Sequence, residues 1–123
     1  MNKPEYFLIV VGGRDFNDRE YMTREILSLV WKELANFQVV IIQGEARGAD
    51  LLAKSVAQAL GLRCVPCSAE WEKFGKAAGP IRNKFMADYA HGLLAFHDHE
   101  SKGTENMIQT MKKLNKSTRV RYY

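Results

Sequence analysis

The feature that most limits this fold is an alternation: short continuous apolar runs take turns with stretches whose apolar residues recur every three or four positions. The run Tyr6–Val11, rich in β-branched residues and stopped by Gly12-Gly13, has the pattern of a strand buried on both faces. Asn17 then stands three residues before Glu20 as an N-cap, and Met22, Ile26, Val30 and Leu34 recur at i+4, which predicts a helix ending near Asn36. Val39–Gln43 is a second strand stopped at Gly44, and Leu52, Ala53, Val56, Ala57 and Leu60 mark a helix closed by Gly61. Leu62–Cys67 reads as a third strand, followed by an irregular segment, SAEWEKFGKAAG, and a helix carrying Ile81, Phe85, Met86 and Tyr89. Gly92–His97 is a fourth strand, Met107, Ile108, Met111 and Leu114 mark the last helix, and Thr118–Tyr122 supplies a fifth strand. Strands alternating with helices through short loops imply right-handed crossovers. The expected class is α/β: a three-layer, Rossmann-like fold with a mostly parallel sheet of about five strands.

Length and composition narrow the setting. At 123 residues the chain fits one domain, 1–123, and is too short for a two-half dinucleotide-binding fold. Its 46% hydrophobic and 26% charged residues are ordinary globular values. The longest apolar run falls far short of the roughly 20 residues that span a bilayer, and no signal-like stretch opens the chain, so a cytoplasmic protein that meets no membrane is expected. The net charge of +4 is spread along the chain, with a bias only at Lys112, Lys113, Lys116, Arg119 and Arg121. That balance suits anionic ligands without specifying nucleic acid. Cys64 and Cys67 form a CxxC, but it lies in an apolar run with Pro66 inside it, where half-buried strand thiols in a reducing compartment are the expectation.

The unusual residues collect where a parallel sheet keeps its ligands, beyond the carboxyl ends of the strands. The first strand end carries Gly12, Gly13, Arg14, Asp15 and Phe16, and the second Gly44, Arg47, Gly48 and Asp50. Trp71, Gly79, Arg82 and Asn83 follow the third, and Gly103 and Thr104 follow the fourth. Glycines let a ligand approach the backbone, helix N-termini offer unpaired N–H groups, and arginine forks match phosphate oxygens. Trp71 or Phe16 would stack on a base. Taken singly, Gly12-Gly13 is a tight corner, Asp50 and Thr104 are helix caps, Arg82 is solvated and Trp71 covers the core; convergence on one edge is what gives them a joint meaning. GxxxxGK[ST] is absent and GGRDF does not complete GxGxxG, so neither a P-loop nor an ordinary NAD site is supported.

VVGGRDF, GEARGAD, Trp71 with AGPIRN, and KGTENMI, taken in order, resemble the YspA and YpsA-like branch of the SLOG superfamily, over Phe7 to about Lys113. The resemblance implies a Rossmann-like domain that binds a nucleotide or nucleotide-derived small molecule. It places phosphate and sugar contacts on Gly12, Gly13, Arg14, Gly44, Arg47, Gly48, Asp50, Arg82, Asn83, Gly103 and Thr104. The LOG relatives are phosphoribohydrolases that use an arginine and the glutamate of PGGxGTxxE; here ESK stands before Gly103, without the glycines of PGG, and Met107 stands at the glutamate position. Cleavage of an N-glycosidic bond wants a carboxylate beside the developing oxocarbenium ion, for which Glu105 and Asp15 are the substitutes on offer.

Three functions follow. The first is a binding module with no cofactor and no catalytic residue, which senses, carries or sequesters its ligand. The second is nucleoside-monophosphate N-glycosidase activity, and the third is single-stranded DNA binding as in the DprA relatives, steeply salt-dependent. His97-Asp98-His99 raises a metal site, but adjacent strand-end residues rarely face one point and a polar rim is the expectation. The helix faces bearing Trp31 and Tyr89 either pair subunits in a homo-oligomer or pack on the sheet.

Overall fold

The computed structural model describes residues 2–123. Its elements run β1 (Glu5–Gly12), α1 (Arg19–Trp31), β2 (Gln38–Gln43), α2 (Ala49–Ala59), β3 (Arg63–Pro66), α3 (Trp71–Phe74), α4 (Ala78–Tyr89), β4 (Gly92–His97), α5 (Lys102–Lys113) and β5 (Ser117–Tyr122). The five strands pair in the order β3-β2-β1-β4-β5, and every pairing is parallel. This is the expected Rossmann-like α/β architecture.

Period-two alternation sorts each strand between two cores. Leu8 and Val10 of β1, with Leu94 and Phe96 of β4, pack against Met22, Ile26 and Leu29 of α1 and Ala53, Val56 and Ala57 of α2. Ile9, Val11, Leu93 and Ala95 face the opposite way, onto Met86 and Ala87 of α4 and Met107, Ile108 and Met111 of α5. Helices thus cover both faces, which is why β1 and β4 are continuous apolar runs. Cys64 packs with the first cluster and Cys67 with the second. Cys64 on β3 and Cys67 just after its end thus lie on opposite faces of the sheet, and burial pushes both pKa values up. The CxxC is therefore neither a disulfide pair nor a chelate.

Several boundaries differ from the sequence expectation. The N-cap of α1 is Asp18, whose carboxylate accepts from Tyr21 N at 3.0 Å, rather than Asn17. The helix ends at Trp31, and a turn carries the chain to Phe37 through Leu34 N–Leu29 O and Phe37 N–Leu34 O bonds. Helix α4 begins at Ala78, ahead of Gly79-Pro80, because a proline in the first turn gives up an N–H that has no partner anyway. The segment read as irregular holds the short helix α3 and a 3-10 turn, Gly75–Ala77. Trp31 is exposed, whereas Tyr89, itself half exposed, lays its ring against Phe7 of β1 with centroids 4.7 Å apart. No helix among the described residues is long and apolar enough to cross a membrane.

Candidate functional site

The strand order reverses between β1 and β4: β2 and β3 continue to one side, β5 to the other. Loops leaving the two central strands diverge at such a point, and the crevice they open lies at the carboxyl edge. Here that crevice is a cleft of about 800 Å³, within the size range of small-molecule sites.

Its walls come from the loops read in the sequence. Gly12, Arg14 and Asp15 follow β1, Arg47 and Asp50 follow β2, Trp71 belongs to α3, Gly79, Arg82 and Asn83 to α4, and Gly103 and Thr104 to α5. Four expected residues do not line the cleft. Phe16 is a core residue, 2% exposed and stacked on Phe96 with ring centroids 4.6 Å apart, so its ring has no access to a base in the cleft. Gly13 is buried beneath the Tyr123 hydroxyl. Gly44 passes so close to Arg82 and Asp50 that a Cβ there would run into both, and Gly48 lies against the backbone of Gly13 and Arg14 with φ 83°. These glycines shape the site by letting its loops touch.

Asp50 and Arg82 tie the second and third loops together. Asp50, 4% exposed at the start of α2, accepts N–H groups from Gly44 at 3.1 Å and Ala46 at 3.4 Å. Burial pushes its carboxyl up from 3.8 to about 6, against the pull of the Arg82 guanidinium and these backbone donors. Arg82 donates from Nη1 to Gly44 O at 2.6 Å and Cys67 O at 3.3 Å, and from Nε to Asn83 Oδ1 at 3.0 Å. Asn83 Nδ2 donates onward to Gly103 O at 3.2 Å and Asn106 Oδ1 at 3.0 Å, carrying the network to α5. Arg82 is thus a strut with one edge of its fork committed. Arg14 and Arg47 are exposed at the mouth.

Two helix N-termini point into the cleft. That of α2 has no side-chain cap, and its first turn is tied instead to backbone carbonyls, Ala49 N to Gly13 O at 3.1 Å and Leu51 N to Ala46 O at 3.2 Å. That of α5 is capped by Ser101, whose Oγ accepts from Thr104 N at 3.3 Å and lies 2.9 Å from Thr104 Oγ1. Asp98 Oδ1 accepts from Ser101 N at 2.7 Å and Glu100 N at 2.9 Å, and these donors hold its carboxyl below the usual range. The N–H groups of Lys102 and Gly103 lie in the first turn, where no intrahelical acceptor exists.

Sequence reasoning missed Asp98, Ser101, Lys102 and Asn106 as cleft residues. The spacing Asp98-x-x-Ser101 before a helix and the i+3 step from Gly103 to Asn106 were the available signals. Met107, at the position where the motif resemblance expects a hydrolase glutamate, also lines the cleft and is 1% exposed. Of the two substitute carboxylates, Asp15 stands in the cleft while Glu105 faces a separate cavity. The first histidine of His97-Asp98-His99 is buried with Nε2 on Glu105 at 3.1 Å, and the third stacks on Tyr122, rings 4.1 Å apart. Their side chains do not converge, and no metal-holding group of three ligands exists among the described residues.

Comparison with known proteins gives the same picture. A family model described as YspA, cpYpsA-related SLOG family matches residues 7–74. The Gene 61 protein of Mycobacterium phage D29 is 30% identical over 118 residues, covering 86% of this chain and 88% of that protein. The X-ray structure of DNA processing protein A (DprA) from Streptococcus pneumoniae superposes with a TM-score of 0.70 at 15% identity. That match covers 96% of this chain and 50% of the DprA chain, and at such identity it shows a shared fold.

Proposed function

The chain belongs to the YspA, cpYpsA-related SLOG family, and from that premise we propose that it binds a nucleotide or nucleotide-derived small molecule in the cleft, as a sensor, carrier or sequestering module. The observation that carries the reading is the convergence of four loops and two helix N-termini on one cleft beside the β1/β4 reversal. Phosphate oxygens would take the forks of Arg14 and Arg47 and the first-turn N–H groups of α5. Trp71, half exposed on the cleft wall, would stack on the base.

The carboxylates support binding over hydrolysis. Asp50 and Asp98 are spent on backbone N–H groups, Asp15 accepts the Tyr123 hydroxyl, and Met107 brings a thioether where a hydrolase needs a carboxylate.

A thermal-shift panel of mono- and dinucleotides tests the proposal. Binding to the folded state adds about 2.7 kcal/mol at a ligand concentration 100 times Kd, so at least one member raises Tm, and Arg47→Ala abolishes the rise. A panel without effect on the wild type refutes the reading.

A further inference from the structure

Past the mouth of the cleft, a second cavity of about 350 Å³ runs along the outer face of α5. Lys102, Glu105, Asn106 and Gln109, spaced i, i+3, i+4 and i+7, form one stripe of that helix and one wall of the groove. His97 and His99 stand on the other side. Ser101, Lys102 and Asn106 line both cavities, so the N-terminus of α5 is the sill between them.

Glu105 is held for use in this groove. Its Oε1 lies 3.1 Å from His97 Nε2, and its Oε2 accepts from Gln109 Nε2 at 2.6 Å. The Gln109 hydrogen bond, followed by that of His97, keeps its carboxyl below the usual range, so it is ionised at neutral pH. His97 is buried and cannot swing away, while the Glu105 side chain is 49% exposed. Each carboxylate oxygen has one partner and keeps further acceptor capacity, on a half-exposed side chain that lines the groove. Two oxygens fixed side by side in this way accept the two hydroxyls of a vicinal diol, the geometry by which an acidic residue grips ribose. The His99 ring, laid flat on Tyr122 at an interplanar angle of 7°, adds a planar wall for the face of a sugar. At the sill, Lys102 and the first-turn N–H groups suit a phosphoryl group.

We propose that this groove is a sugar subsite: Glu105 accepts the vicinal hydroxyls of a pentose whose phosphate rests on the N-terminus of α5. The preferred ligand is then a nucleoside diphosphate bearing a second sugar, with its nucleoside in the cleft and its distal sugar on Glu105. This inference rests on the cleft reading and specifies its ligand class.

Isothermal titration with ADP and ADP-ribose separates the two claims. The wild type binds ADP-ribose at least tenfold more tightly than ADP, and Glu105→Ala binds ADP as the wild type does but loses the tenfold gain. Equal affinity for the two probes in the wild type, or a gain that survives in Glu105→Ala, overturns the sugar subsite and leaves the cleft reading standing. Absence of binding by both probes overturns the subsite and counts against the cleft reading itself.

Discussion

Tyr123 donates its hydroxyl to Asp15 Oδ1 at 2.6 Å, so the residue after β5 clasps the loop after β1 across 108 positions of sequence. Its ring also meets Phe16 edge-on at 4.8 Å, and its N–H bonds to His97 O at 3.2 Å. Burial, and then Asp15, keep the phenol protonated above its usual range. Tyr123→Phe removes one hydrogen bond to a charged acceptor that water partly replaces, a loss of about 1 kcal/mol. Urea unfolding measures it, and amide exchange at Gly13–Phe16 quickens in the variant. A stability equal to wild type, with unchanged exchange, contradicts the clasp.

Asp50 predicts a pH dependence of definite sign. Its carboxyl titrates near 6 in the folded chain and at 3.8 when solvated. Between those values the folded state holds the extra proton, so stability falls as pH rises through the window. Asp50→Asn lacks this titration. From pH 3.5 to 6.5 the variant therefore gains on the wild type by about 3 kcal/mol, since each pH step of one between the two pKa values is worth about 1.4 kcal/mol. Chemical denaturation of both proteins at the two pH values checks it; a constant difference would mean that Asp50 ionises like a surface acid.

The arginines separate into a strut and a contact. Arg82→Ala strands Gly44 O and Cys67 O and leaves Asp50 without its cation, and charged hydrogen bonds of this kind are worth about 1.5–3 kcal/mol each. Arg82→Lys recovers only part of the loss, because an ammonium cannot reproduce the fork. Exposed Arg47→Ala changes stability by less than about 0.5 kcal/mol. Equilibrium unfolding of the three variants tests the division, and equal losses at Arg82 and Arg47 contradict it.

Two glycines make a second contrast. A Cβ on Gly48 would strike the carbonyl of Gly13 in a left-handed backbone, so Gly48→Ala costs about 1–3 kcal/mol. Gly103 has open space where a Cβ would go and lies in the first turn of α5. Gly103→Ala leaves Tm equal or higher while lowering ligand affinity, since the proposed site puts the phosphate in that open space. Thermal melts and a nucleotide titration of both variants read the two effects; undiminished affinity in Gly103→Ala would place the ligand away from α5.

What the sequence discloses here follows the range of its signals. The apolar runs and the i+4 series are local, and they yield every strand, the four long helices and their order. The GGRD, GEARGAD and KGT loops are local too, and the parallel topology alone brings them to one edge. Asp18 and Asn17 are equally good caps on paper, and only the path of the loop selects Asp18. Phe16 looks like a stacking platform until Phe96, 80 residues on, takes its face. Tyr123 carries no local signal, since its partner lies at the other end of the chain. Glu105 reads as a substitute carboxylate for hydrolysis, and its orientation away from the cleft depends on His97 from β4. Long-range contacts of this kind decide which chemically suitable residues actually face the cleft.

If the cleft is one site, a single ligand engages all four loops at once, and titration of 15N-labelled protein with ADP reads this out residue by residue. Saturable chemical-shift changes are expected at Gly12–Asp15, Ala46–Asp50, Gly79–Asn83 and Ser101–Thr104 together, with a single dissociation constant. Shifts confined to the basic positions between Lys112 and Arg121, or no shifts at any of the four loops, would contradict it.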